Sequence, residues 1–294
     1  MRNFSRRTLT ALKAGLLGLG IALLAGGVWA NLYVLNLKTT PQIPWATVPM
    51  ALYLWGMWKY LGGKGWPQSA SEVRRELLRA RPVSLRTCGW VFVAGALSIA
   101  ALAGLWIVLF QLVKMPGNAL PDMNQYPVLT MAAFTVMGSL VSPFAEEAGL
   151  RGYCQVMLER EFRGPAAVLI SSIFFALGHV NHGLLWPKVL VYFLVGVMFG
   201  AMAYLTKSIV PGIPVHMLGD ITFFTMVWPY DAARRLVWEG GADAWFWLHV
   251  AQIVVLGALA FAAYRKVVRL LDPPVAHAHD AVAVSGGFGI VGNH

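Results

Sequence analysis

Glu146 and Glu147 stand side by side inside a long apolar stretch, and Arg151 completes the motif Glu-Glu-x-x-x-Arg. Two further polar pairs follow in chain order, Phe175-x-x-x-His179 and His216-x-x-x-Asp220. A carboxylate beside neutral imidazoles is suited to holding a water molecule and taking its proton. A second histidine with its own partner can donate hydrogen bonds to an oxyanion forming on a peptide carbonyl. The same groups also satisfy the formula of a zinc site with an open water position, with His179, His216 and Glu146 as ligands. Residue types alone leave both chemistries open, although the chain lacks the H-E-x-x-H zinc-hydrolase motif. Glu147 and Arg151, four apart, can form an ion pair on one helix face. Glu146 projects about 100° away from Glu147 and is expected to face a different partner. Phe175 supplies an aromatic wall beside His179, and Asp220 shares a face with His216.

The surrounding chain says what must position these groups. Of 294 residues, 58% are hydrophobic and only 12% charged, with a mean hydropathy of +0.62. Soluble domains carry about 25% charged residues, so the composition predicts an all-α, polytopic membrane protein. Of 13 acidic residues, only Glu146, Glu147 and Asp220 fall inside or at the inner edge of the expected spans. A charge near the centre of a membrane helix opposes insertion by roughly 2.5–3.5 kcal/mol, so three acids and Arg151 would oppose it by about 10 kcal/mol. Such a load calls for a function or a strong internal ion network, and the clustering favours function.

Eight apolar stretches reach or approach the roughly 20 residues that a span requires: 12–37, 43–61, 88–113, 127–150, 164–182, 187–206, 209–229 and 243–264. Prolines punctuate their ends, while Pro143 and Pro214 are expected inside the fourth and seventh, where breaks could open backbone groups to a cavity. Of 23 Lys and Arg residues, five (Lys38, Lys114, Lys188, Arg234, Arg235) fall on one side and Arg151 lies within a span. The remaining 17 fall on the other side, which places both termini in the cytoplasm. The basic residues form neither a face nor a stripe, so the net charge of +10 does not indicate nucleic acid. Cys88 and Cys154 support neither a disulfide framework nor a cysteine-based zinc site. Ser5-Arg6-Arg7-Thr8-Leu9 and Val28-Trp29-Ala30 resemble a twin-arginine export signal, but the apolar run continues to Leu37, which favours an uncleaved span. Residues 71–79 read either as an amphipathic helix on the inner leaflet or as a solvated connector. The tail from Asp272 is expected to be disordered, with His277, His279 and His294 incidental.

Helix arithmetic brings the motifs together. A hairpin turning at 160–164 puts Glu146 about 21 Å and His179 about 22 Å from the turn, at one depth. His216, about 13 Å beyond Lys207, reaches that depth if the hairpin projects some 8 Å into the cytoplasm. His182 and Asn181 are expected near the outer end of the fifth span, outside the site, and His249 is expected to serve packing.

The three motifs, in this order on successive apolar helices, resemble the CPBP family of intramembrane proteases, which includes CAAX prenyl endopeptidases and bacteriocin-processing proteins. The resemblance covers about residues 127–230. It implies that Glu146 activates water with help from His179, that His216 and Asp220 hold the oxyanion or a metal, and that Glu147 and Arg151 support the site. Asp220 departs from the family, which often has Asn there; an aspartate is a poorer oxyanion donor and a better metal ligand. The expected organisation is three N-terminal spans with a cytoplasmic loop (1–126), a catalytic helical core (127–271) and a tail (272–294). The expected activity is hydrolysis of a peptide bond in a membrane-associated or lipidated protein or peptide, in a bacterial-type inner membrane. The partners are that substrate and the lipid bilayer, and zinc is the one cofactor considered. The alternatives are a proton-coupled transporter and a non-catalytic immunity or scaffold protein.

Overall fold

The computed structural model describes residues 2–115 and 125–271, which leaves the expected tail outside the described residues. Every described apolar stretch is helical: α1 (Arg2–Thr39), α2 (Thr47–Leu61), α4 (Leu85–Leu112), α5 (Val128–Glu146), α7 (Gly164–Gly178), α8 (Trp186–Thr206), α9 (Gly212–Thr222) and α11 (Ala244–Leu271). Shorter helices are α3 (Ser71–Leu78), α6 (Gln155–Glu159) and α10 (Val237–Gly240). The protein is an all-α, polytopic membrane protein. Among the described residues, five helices are long and apolar enough to cross a membrane: Ser5–Thr39, Leu85–Leu112, Val128–Glu159, Trp186–Thr206 and Ala244–Leu271. By this measure five of the eight expected spans are met among the described residues, and the other three correspond to shorter helices. The segments α2 and α7 have 15 residues each and α9 has 11. At 1.5 Å per residue none reaches the roughly 30 Å of a hydrocarbon core unaided.

One pole of the bundle gathers charge. Arg6 pairs with Glu161 at 3.1 Å, Arg160 with Glu76 at 3.4 Å and Lys207 with Glu159 at 3.3 Å, while Arg79 also binds Glu159. These ion pairs join α1, α3, the turn after α6 and the end of α8, all assigned to one side by their charges. The helix α3 is anchored along one face, while Glu72, Val73, Arg75 and Glu76 stay exposed. Its buried Arg74 donates to the carbonyls of Gly63 (3.2 Å), Gly65 (3.2 Å) and Pro67 (2.8 Å), and Leu78 packs into the core. The guanidinium thereby ties the loop from Gly63 to Pro67 together through its carbonyls.

The elements that carry the polar motifs depart from regular helix in a useful way. After Pro143, which has no N–H to offer the preceding turn, α5 widens into a π-helical stretch, Glu147–Cys154, before continuing as α6. Such widenings are concentrated at functional sites. Pro214 lies in the first turn of α9 and interrupts nothing, because N–H groups there have no intrahelical partner. The helix α7 stops at Gly178, four residues earlier than the apolar run suggests. His179 caps it, and Gly183 at φ +106° then turns the chain, a backbone conformation that side chains rarely tolerate.

The π-helical stretch is backed by α1 at backbone contact. A Cβ at Gly149 would lie 2.4 Å from the Gly18 carbonyl oxygen, and one at Gly18 would lie 2.6 Å from that of Gly149. Both obstacles are backbone, so neither can rotate away. Gly149→Ala is accordingly expected to push α1 off the π-helical stretch at a cost of about 1–3 kcal/mol. Thermal unfolding in detergent measures this, and a midpoint unchanged from wild type would contradict the contact.

Candidate active site

The π-helical widening turns both glutamates toward one imidazole. His216, in the second turn of α9 and only 4% exposed, places Nδ1 2.9 Å from Glu147 Oε1. Its Nε2 lies 3.7 Å from Glu146 Oε2 and 3.7 Å from Asp220 Oδ1. The expectation that Glu146 would face a different partner from its neighbour is thus corrected: the two carboxylates address opposite edges of one ring. Glu147 also pairs with Arg151 at 3.2 Å, with both side chains buried. The Arg151 guanidinium lies over the rings of Phe175 (4.1 Å) and Phe199 (5.2 Å) and approaches the Gly196 carbonyl at 3.5 Å. Phe199 in turn stacks on His216 at 4.4 Å.

His179 enters from the cap of α7. Its Nδ1 bonds the Phe175 carbonyl at 2.8 Å, and because a carbonyl only accepts, that nitrogen carries the hydrogen. In the neutral ring Nε2 is left as an acceptor. The ring lies 4.4 Å from Phe175 and stacks on Tyr192 at 4.5 Å.

These groups line a cavity of about 520 Å³. Glu146 Oε1 accepts from Ser142 Oγ at 2.6 Å, whereas Oε2 is buried and has no hydrogen-bond partner. A carboxylate oxygen in that condition calls for a donor from whatever fills the cavity. The remaining walls are largely apolar and include Leu19, Leu23 and Trp29 of α1 and Trp106 of α4. Beside Glu146 the lining also includes His182, Phe224 and Trp228.

Several contributors were not expected from sequence. Asn181 and His182 line the cavity rather than lying outside it, because α7 ends early and folds them inward. Ser142 was legible in principle, standing four residues before Glu146 on one helix face. Tyr192, Phe199 and the α1 wall arrive by packing between helices and have no local signal. His249 is buried in the α11–α4 contact, its Nδ1 2.7 Å from Gln252 Oε1, and takes no part in the cavity. Cys154 is free but wholly buried.

The zinc set fares differently. Each expected ligand has one donor atom committed: Glu146 Oε1 to Ser142, His179 Nδ1 to Phe175, His216 Nδ1 to Glu147. Among the described residues, no three or more His, Cys, Asp and Glu side chains are grouped to hold a metal ion. Those commitments leave Glu146 Oε2, His179 Nε2 and His216 Nε2 open, and a metal-ligating histidine ordinarily donates its other ring N–H in this way.

Residues 128–222 match the family described as type II CAAX prenyl endopeptidase Rce1-like. All the motif residues from Glu146 to Asp220 fall within the match. Neither the curated proteins nor the solved structures provide a match to the chain.

Proposed function

With residues 128–222 a domain of the CAAX-protease family, we propose that the chain hydrolyses a peptide bond in a membrane-associated protein or peptide, using Glu146 to activate water. The observation that carries this reading is the bare Glu146 Oε2, buried without a hydrogen-bond partner and facing a cavity large enough for a peptide segment. A water bound there donates one hydrogen to Oε2 and can donate the other to the acceptor Nε2 of His179. Its oxygen attacks the scissile carbonyl carbon while its proton passes to Glu146. The oxyanion that forms accepts from His216 Nε2, carried as N–H, with Glu147 holding the ring at Nδ1. Glu146 then gives its proton to the departing nitrogen, the C–N bond breaks, and a carboxylic acid and an amine leave. The apolar walls suit a hydrophobic segment on either side of the bond.

The test is fragment production. Purified protein in vesicles is offered a panel of membrane-anchored peptides, and cleavage products are read by mass spectrometry with Glu146→Gln as the control. Defined fragments from wild type alone support the reading. Solute or proton flux that depends on Glu146, with no fragment, would replace it with the transport alternative.

Asp220, 3.7 Å from His216 Nε2, is read as a polar neighbour of the oxyanion position rather than as an essential charge. Asp220→Asn, which installs the residue the family often carries, is expected to keep activity within about tenfold of wild type. Asp220→Ala, which removes the polar group beside the oxyanion position, is expected to lose about a hundredfold in kcat. Equal losses for the two variants would instead make the negative charge essential.

A further inference from the structure

His179 has an exposed mechanical weakness. It sits beyond the last turn of α7, at φ −105° and ψ 12°, so the helix itself does not fix its side chain. One hydrogen bond to the Phe175 carbonyl fixes a ring atom but leaves the plane of the ring free to tilt. The plane is set from the other side, where the Tyr192 ring lies 4.5 Å away and only 21° from parallel. Tyr192 is itself tied down: its hydroxyl meets His182 Nδ1 at 2.6 Å. His182 is backed by the Trp228 ring at 5.3 Å, and its carbonyl accepts from Lys188 Nζ at 2.9 Å. An ordered chain of contacts thus runs from Trp228 and Lys188, through His182 and Tyr192, to the imidazole facing Glu146.

We propose that Tyr192 and His182 form a positioning pair that holds the His179 ring in the plane from which Nε2 meets the attacking water. The proposal rests on the assignment of His179 to the water, and neither Tyr192 nor His182 touches the reacting atoms in it. A displacement of about 1 Å in such a group costs on the order of a hundredfold in rate, so the clamp acts on kcat. A cavity wall would act on KM.

The experiment compares Tyr192→Phe, Tyr192→Leu, His182→Ala and the double variant Tyr192→Phe/His182→Ala, all as the full chain in vesicles. Tyr192→Leu, which removes ring and hydroxyl, is expected to lower kcat about 30- to 100-fold with KM within about twofold. Tyr192→Phe keeps the stacked ring and is expected to lose about three- to tenfold, as is His182→Ala. The double variant should lose less than the product of the two single losses, because both single changes remove the same Tyr192–His182 hydrogen bond. A second readout needs no substrate: in 15N-histidine NMR spectra, the His179 ring signals should shift or broaden with Tyr192→Leu and stay near wild type with Tyr192→Phe.

A raised KM with unchanged kcat in Tyr192→Leu, multiplicative losses in the double variant, or His179 signals unmoved by Tyr192→Leu would each overturn the positioning role. Failure of the underlying function shows differently, as Glu146→Gln cleaving like wild type. In that event the NMR comparison still decides whether the pair holds the ring. Should Tyr192→Leu not fold, the two single hydrogen-bond variants and their double decide the matter.

Discussion

Glu146→Gln is expected to lower kcat by about 10²- to 10⁴-fold, the range associated with losing a general base, while leaving the protein folded. The substitution keeps the shape of the side chain and an oxygen to accept from Ser142 Oγ, which lies 2.6 Å from Glu146 Oε1. It also removes a buried charge whose Oε2 has no hydrogen-bond partner, so stability should not suffer. What disappears is the capacity to take a proton from water and return it to the leaving nitrogen. Both steps belong to the transition state, so kcat and kcat/KM should fall together with KM nearly constant. Initial rates across a substrate series, alongside thermal midpoints for both proteins, measure the two halves of the expectation. Retention of more than about a tenth of wild-type kcat would mean that Glu146 is not the base. A fall in midpoint of many degrees would instead assign the carboxylate a structural role in the ion network around Arg151.

Much of this site was legible because helix geometry is regular over short distances. The i, i+4 spacing predicted that Glu147 would meet Arg151, and the equal distances of Glu146 and His179 from the 160–164 turn predicted a common depth. In the structure the Glu147–Arg151 pair stands at 3.2 Å, and Glu146 and His179 line one cavity. Spacing failed where the backbone stopped being an α-helix. The widening at Glu147–Cys154 leaves no mark in the hydropathy pattern, yet it brings both glutamates to His216. The early end of α7 was hidden by Val180, which prolonged the apolar run by one residue, and it carried Asn181 and His182 into the cavity. Tyr192, Phe199 and Trp29 depend on which helix packs against which. Their relation to the motifs is tertiary, and no window of a single sequence contains it. The number of spans is not fixed by the hydropathy pattern for a related reason. An apolar run shows that a segment avoids water, but α2, α7 and α9 satisfy that condition with fewer residues than a full crossing requires.

The second large effect concerns Arg151, whose replacement by methionine is expected to destabilise the protein by roughly 3–5 kcal/mol. Arg151 and Glu147 are both 1% exposed, so removing the guanidinium strands a carboxylate in a region without water to solvate it. Methionine fills much of the slot between Phe175 and Phe199, so the loss reports charge more than volume. Adding Glu147→Gln to Arg151→Met should recover most of the stability, because a neutral pair of similar shape no longer carries an uncompensated charge. Activity should not return with it. Glu147 Oε1 holds His216 Nδ1 at 2.9 Å as a charged acceptor, and a neutral amide orients the ring more weakly. The double variant is therefore expected to unfold near the wild-type temperature and still cleave at least about tenfold more slowly. Parallel measurement of thermal midpoint and kcat separates the two contributions. If stability and activity recovered together, the Glu147–Arg151 pair would be scaffolding alone, and the orientation of His216 would have to come from Phe199 and the α9 backbone.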